Sequence, residues 1–335
     1  MKVYIIAILT ILTACNQGST ETTQEKAKGS EETLESIRVA SWSKPITEQT
    51  NLLVEEKKGF FKEQGLNMTF IPGAGGGDAI KNILTGKADI AFTDPGSLFF
   101  ALDKGEKLRV IYNIYPQNVF NIVSLKDKDI TKPEDLKGKT IGVYSLSSGT
   151  RQNLLVLLHE AGLTEEDVKI VETGILNFAP LMQGQVDATA ATDTGLFNGQ
   201  QKSLGEVNVM EVKNYLNFPS DVFVVTEETY QEKKELLQSF IIGYRNSVEW
   251  MINNPDEAAS LAAAYAIDGK NEANNLEIIK IRNESSVSAT TEERGLGTFD
   301  MDMLQAAADT YRRLGLVENP LNMKNIVTEE LIPKK

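Results

Sequence analysis

From Ile37 onward, short apolar runs alternate with amphipathic stretches. Ile37-Arg38-Val39-Ala40-Ser41-Trp42 carries β-branched residues and reads as a strand. Residues 51–64 read as a helix stopped by Gly65, and 66–71 as a second strand closed by Pro72-Gly73. Residues 78–84 suit a helix with Asp78 near its N-cap. A strand at 88–93, a helix at 98–104 and a strand at 108–112 follow. This alternation predicts an α/β lobe whose mostly parallel sheet is covered by helices on both faces.

The pattern then recurs. Strands are expected at 140–144, 168–171 and 186–192, with a helix at 151–160. Leu84-Thr85-Gly86-Lys87-Ala88-Asp89-Ile90 is echoed by Met182-Gln183-Gly184-Gln185-Val186-Asp187-Ala188, with the glycines 98 residues apart. Gly65 and Gly162 lie 97 apart, and Asp94 and Asp193 lie 99 apart. Three markers at nearly one offset suggest two lobes on one plan. Residues 118–123 and 220–225 echo each other as well and flank the second lobe, so they read as strands and hinges at once. Beyond Val225 the chain becomes mainly helical, at 231–253, 255–265, 274–283 and 302–314. Those helices are expected to pack back on the first lobe. The first lobe then comprises 37–120 and 224–335, and the second 121–223.

Composition changes the picture at the amino terminus. Lys2 precedes a short apolar run and small residues that end at Cys15, the order of a secretory signal. The run is too short to span a bilayer, which needs about 20 residues. Leu12-Thr13-Ala14-Cys15 resembles the bacterial lipobox, which implies a signal over 1–15 and a lipid on Cys15. Residues 16–36 are polar and read as a flexible tether. Cys15 is the sole cysteine, so no intramolecular disulfide forms and stability rests on packing. The net charge of −13 argues against a nucleic-acid surface and suits solubility outside the cell.

Three segments carry a family resemblance: Lys57-Lys58-Gly59-Phe60-Phe61-Lys62-Glu63-Gln64-Gly65-Leu66, Gly86-Lys87-Ala88-Asp89-Ile90-Ala91, and Asp135-Leu136-Lys137-Gly138-Lys139-Thr140-Ile141-Gly142-Val143. Over about 37–316 the chain resembles the binding proteins for sulfonates, nitrate, taurine and thiamine pyrimidine precursors. The resemblance implies a type II periplasmic-binding-protein-like fold, two lobes about a hinged cleft. It also implies a monomeric, extracytoplasmic, lipid-anchored receptor that delivers a small solute to an ABC permease with its cytoplasmic ATPase. Neither cofactor nor metal is implied.

In open α/β sheets, ligands bind beyond the carboxyl ends of strands. Trp42 and Ser43 follow the first strand, where Trp42 suits either stacking on a planar ligand or the core. Gly75 and Gly76 stand in Pro72-Gly73-Ala74-Gly75-Gly76-Gly77-Asp78, where glycine backbone approaches a ligand or simply turns. That run lacks the third glycine of a dinucleotide fingerprint and the Lys-Ser/Thr of a P-loop. Asp94 suits a donor-rich ligand or a helix cap, and Asn118 approaches the first hinge. Ser147, Ser148, Gly149 and Thr150 open a helix, a place for an anion or carbonyl or for plain capping. Asn177, Asp193 and Asp221 complete the second wall. Three aspartates in one pocket disfavour a bare anion and favour an amino-bearing heterocycle, with a thiamine pyrimidine precursor first and a sulfonate, taurine or nitrate second.

Two other classes stand beside a binding protein. An enzyme resembling those of pyrimidine biosynthesis is the first. The single histidine, His159, sits late in a helix, and neither a Gly-x-Ser-x-Gly elbow nor a His-x-x-x-His pair occurs. A surface adhesin or importer-independent sensor is the second.

Overall fold

A computed structural model describes residues 34–174 and 178–335. Among the described residues there are ten strands: β1 (Glu35–Ala40), β2 (Leu66–Ile71), β3 (Ile90–Thr93), β4 (Leu108–Tyr115), β5 (Phe120–Leu125), β6 (Thr140–Val143), β7 (Lys169–Glu172), β8 (Ala188–Thr192), β9 (Val207–Glu211) and β10 (Asp221–Thr226). They form two five-stranded sheets, ordered β2-β1-β3-β10-β4 and β7-β6-β8-β5-β9. The two orders are the same plan, which is the physical content of the internal echo. Both sheets are mixed. β10 runs antiparallel to β3 and β4, and β5 antiparallel to β8 and β9, while β1 pairs in parallel with β2 and β3 and β6 with β7 and β8.

The reversed strand has a simple cause. β5 follows β4 after Pro116–Val119, too short a link for the long crossover that a parallel neighbour needs. The chain crosses into the second sheet instead and returns as β10. At the crossing, the Ser220 hydroxyl accepts from Val119 N at 2.8 Å, and Ser220 N donates to Tyr115 O at 2.8 Å.

The expected helix over 51–64 is broken into helices Thr50–Leu53 and Glu55–Lys58 between two 3-10 turns. Gly59 sits at φ 72°, the left-handed region that ends a helix, and the Glu55 carboxylate accepts from Phe61 N at 3.0 Å and Lys62 N at 2.9 Å. Phe61 is thereby turned into the core, stacked on Phe240 at 5.2 Å. Thr47, Glu48, Gln49, Thr50 and Asn51, between β1 and the break, are all buried. β9 has no counterpart among the expected strands. Its Val209 is exposed and its Met210 buried, so no apolar face marks it.

Helices Lys234–Asn253, Pro255–Tyr265, Glu272–Ser285 and Met301–Arg313 follow β10. The first of these covers one face of the first sheet through an aromatic cluster centred on Phe223, which meets Tyr244 at 4.6 Å, Phe240 at 5.1 Å and Phe92 at 5.5 Å between ring centres. The last packs Leu304, Ala307, Ala308 and Tyr311 against the other face. Phe223 is fully buried on the strand that completes the sheet, so Phe223→Ala should cost about 3–5 kcal/mol of stability. Chemical denaturation checks this, and a loss below about 1 kcal/mol would mean that the cluster repacks.

Candidate ligand-binding site

A cavity of about 480 Å³ opens between elements of the two sheets, at the carboxyl ends of β1, β6, β7 and β8. Its walls are Trp42, Ser43, Ile46 and Glu48 after β1, Tyr144 and Thr150 after β6, and Gly174, Phe178, Ala179 and Met182 after β7. Thr192, Thr194, Asn198 and Lys202 come from β8, the helix Asp193–Gln201 and its end, Ile267, Asp268, Lys270 and Asn271 from the link between the helices Pro255–Tyr265 and Glu272–Ser285, and Asn274 and Ile278 from the second of these. Trp42 stands edge-on to Tyr144 at 6.0 Å and to Phe92 at 6.4 Å. Its Nε1 is buried without a hydrogen-bond partner among the described residues. Burial pushes the Tyr144 hydroxyl pKa upward.

Of the residues expected at a ligand, the structure brings Trp42, Ser43 and Thr150 to this cavity. The Ser43 hydroxyl is spent on Lys44 O at 2.8 Å, and Thr150 Oγ1 accepts from Tyr144 N at 2.9 Å. Gly75, Gly76, Asp94, Ser147 and Gly149 lie along a seam where the two halves touch. Gly77 N donates to Ser147 O at 2.9 Å, Ser147 Oγ to Ala74 O at 3.2 Å, and Ser145 Oγ also to Ala74 O. A Cβ on Gly75 would stand 2.6 Å from Ser147 O, one on Gly76 2.2 Å from Asp94 Oδ2, and one on Gly149 2.7 Å from the Phe120 ring. Gly75 thus approaches Ser147 of the opposite half, a Cβ on Gly149 would also stand 3.1 Å from Asp94 across the seam, and Gly76 meets Asp94 within its own half. Ser148 Oγ closes its own loop on Ser145 O at 2.6 Å, and Arg151 pairs with Glu165. Asn118 is spent on Asn153 Oδ1, Leu216 O and Phe120 N. Asn177 and Cys15 lie outside the described residues.

The aspartates divide. Asp94 caps the helix Pro95–Asp103, accepting from Ser97 N at 2.8 Å and Ser97 Oγ at 2.7 Å. Its burial raises the pKa to about 6 against the opposing Ser97 bonds. Asp221 is also buried, and burial followed by the charges of Asp94 and Glu48 holds its pKa well above the carboxylate range. Asp193 pairs with Arg282 Nη1 at 2.7 Å. Arg282 is 1% exposed and also reaches Glu48 Oε2 at 3.0 Å and Thr194 Oγ1 at 2.9 Å, with its guanidinium 5.1 Å from the Tyr115 ring centre. Thr194 Oγ1 donates to Glu48 Oε2 at 2.6 Å. Burial opposes the charge of Arg282, but Asp193 and Glu48 outweigh it and its pKa rises.

Sequence reasoning missed Arg282 and Glu48. A signal for the first was present: Arg282 follows Ile278 by four positions and Ile279 by three, on the buried stripe of its helix. Glu48 falls between the strand-end residues Trp42 and Ser43 and the expected helix over 51–64, and no local signal pairs it with Arg282. Lys202 and Lys270 line the cavity, and neither makes an ion pair among the described residues.

Residues 46–258 match the model of the family described as NMT1/THI5 like. The chain is 22% identical to the riboflavin-binding protein RibY of Chloroflexus aurantiacus, covering 98% of this chain and 96% of that one. It is 23% identical to the formylaminopyrimidine-binding protein of Halalkalibacterium halodurans, over 78% and 79% of the two chains. It is also 23% identical to a 4-amino-5-hydroxymethyl-2-methylpyrimidine phosphate synthase of Aspergillus parasiticus, over 62% and 64%. Among solved structures, the alkanesulfonate-binding protein SsuA from Xanthomonas axonopodis pv. citri bound to MOPS superposes with a TM-score of 0.68 at 16% identity, over 88% of this chain and 98% of that one. The fold is thus the two-lobed periplasmic-binding-protein fold.

Asp94 gives this seam a pH signature. Its carboxyl holds a proton more tightly folded than unfolded, with a pKa of about 6 against 3.8. The resulting stability is fully present below the unfolded pKa and is lost as pH rises through about 6. Asp94→Asn keeps a capping side chain and removes the titration. Relative to wild type, the variant should gain on the order of 3 kcal/mol between pH 4 and pH 7. Denaturant unfolding across that range measures the difference, and parallel curves would count against a buried, protonated Asp94.

Proposed function

The chain belongs to the NMT1/THI5-like family, and from that membership we propose that it is the solute-binding subunit of an ABC importer, taking a planar nitrogen heterocycle into the cleft. The observation that carries the reading is the cavity itself. It is built by both halves of a two-lobed fold, walled by Trp42, Tyr144, Phe178 and three isoleucines, and edged by Asn198, Asn271 and Asn274. Apolar walls with a few convergent polar groups suit a flat ring with polar substituents. The riboflavin-binding and formylaminopyrimidine-binding relatives support the same class. A volume of about 480 Å³ equals roughly sixteen waters at ~30 Å³ each, so there is space for a single pyrimidine ring or for a fused ring system. A thiamine pyrimidine precursor remains the leading candidate, now on the aromatic walls, since Asp94 and Asp193 are spent within the protein.

Lys202 and Lys270 favour a second reading, an anionic solute such as a sulfonate. An enzyme of pyrimidine chemistry would need a proton-transfer group free in the cavity. Glu48 is committed to Arg282, Asp268 accepts from Thr47 N and Oγ1, and His159 bonds to Leu314 O away from the cavity. Lys202, Lys270 and Tyr144 remain on the wall, and we take the protein to bind and release its solute unchanged on the weight of its binding-protein relatives, with a permease and its ATPase as partner. The lipobox-like Leu12-Thr13-Ala14-Cys15 supports placement outside the membrane on a lipid carried by Cys15.

A thermal-shift panel decides between the ligand classes. Aminopyrimidines or flavins should stabilise the protein by about 2.7 kcal/mol at a hundredfold excess over the dissociation constant, and taurine, alkanesulfonates and nitrate should do less. Trp42→Ala should weaken binding by up to roughly tenfold. Stabilisation by sulfonates alone, lost in Lys202→Met, would replace the heterocycle with the anion. For the anchor, Cys15→Ser should move the protein from the membrane fraction to the soluble one with its melting temperature unchanged. Persistent membrane association of that variant would remove the lipid from this account.

A further inference from the structure

The Arg282 network uses two walls of the cavity and both halves of the fold. Glu48 follows β1, and Arg282 lies 234 residues further on in the helix Glu272–Ser285. Both belong to the half built on the first sheet. Asp193 and Thr194 open the helix that follows β8 of the second sheet. The Arg282–Asp193 and Arg282–Thr194 contacts, and the Thr194–Glu48 hydrogen bond, therefore all cross the cleft. Glu48 and Thr194 are cavity walls.

We propose that Arg282 is a positioning residue that clasps the two lobes together, fixing the Glu48 carboxylate and the Thr194 hydroxyl as one assembled wall of the cavity. The proposal rests on the reading of the cavity as a solute site, but its test needs no solute. A buried ion pair gives little net stability, because the lost hydration offsets the attraction. Its value lies in geometry. Arg282 Nε and Nη2 both engage Glu48 Oε2, at 3.1 and 3.0 Å, and Nη1 is left for Asp193 on the other lobe. A guanidinium presents donors in a fixed planar fork, so one arrangement of the lobes satisfies all of them. Opening the cleft separates Asp193 and Thr194 from Arg282 together, while the Glu48–Arg282 pair stays whole within the first lobe. The clasp thus has a permanent half and a detachable half.

The test uses the detachable half, in the full-length chain without ligand. Asp193→Asn, Thr194→Val and the double variant leave Glu48 and Arg282 paired, so folding is preserved. Arg282→Lys keeps the charge but loses the fork. Small-angle scattering should show a larger radius of gyration for the double variant than for wild type, with Arg282→Lys between them. Amide exchange in the helix Asp193–Gln201 should quicken by about tenfold or more, each factor of ten being ~1.4 kcal/mol of opening. Lower melting temperatures with unchanged scattering and exchange would reduce the network to a buried stabilising cluster and overturn the clasp. Wild type already as expanded as the double variant would overturn it as well. Because no ligand enters these measurements, a failed thermal-shift panel leaves them intact, and their failure leaves the heterocycle reading intact.

Discussion

One guanidinium, buried between two carboxylates and a hydroxyl, sets the terms for everything around the cleft. Water cannot solvate Arg282 at 1% exposure, so the protein must supply every counter-charge and acceptor itself. That demand reaches far along the chain. It requires Glu48, in the 3-10 turn Thr47–Gln49, to be buried with it. It also requires the second half of the fold to bring the start of one helix to within hydrogen-bond distance. The cavity is what remains between these obligations.

The seam beside the cavity follows a different logic. There the two halves meet through backbone, and the residues with no side chain make the approach possible. Gly75, at φ 134°, and Gly76 sit where any Cβ would strike Ser147 or Asp94. Several polar groups along the seam are satisfied locally: hydroxyls on nearby carbonyls, Asp94 on its own helix, Asn118 on Asn153. A ligand at the seam would have to displace bonds already made, whereas Lys202 and Lys270 on the cavity wall make no ion pair among the described residues.

The difference between seam and cavity explains what sequence could and could not reveal. β-Branched runs and repeated Gly-x-x-Asp markers expose the strands and the duplicated plan, because periodicity and turn chemistry are local. Every expected strand appears, and the expected helix after β1 is broken where Phe61 is pulled into a distant core. Ligand residues are harder. Asp94 and Asp193 follow equivalent strands, yet one caps a helix and the other meets an arginine from the far end of the chain. No window of sequence contains both members of that pair. Residues that follow strands mark the right region, but which of them stay unspent is decided by partners that sequence order does not bring near.

The exchanged strands carry a consequence for how the chain reaches this state. β3 and β4 share no ladder of their own; β10 lies between them and joins them, with Val222 opposite both Thr93 and Asn113. Until Asp221–Thr226 has been made, the first sheet is two disconnected pieces with unpaired edges, although most of its residues were synthesised long before. Contacts of such long sequence separation are slow to form, and exposed strand edges invite pairing with other chains. A nascent chain cut anywhere before β10 is therefore an assembly hazard and not a half-sized receptor, so biogenesis, more than binding, is where this topology asks for protection.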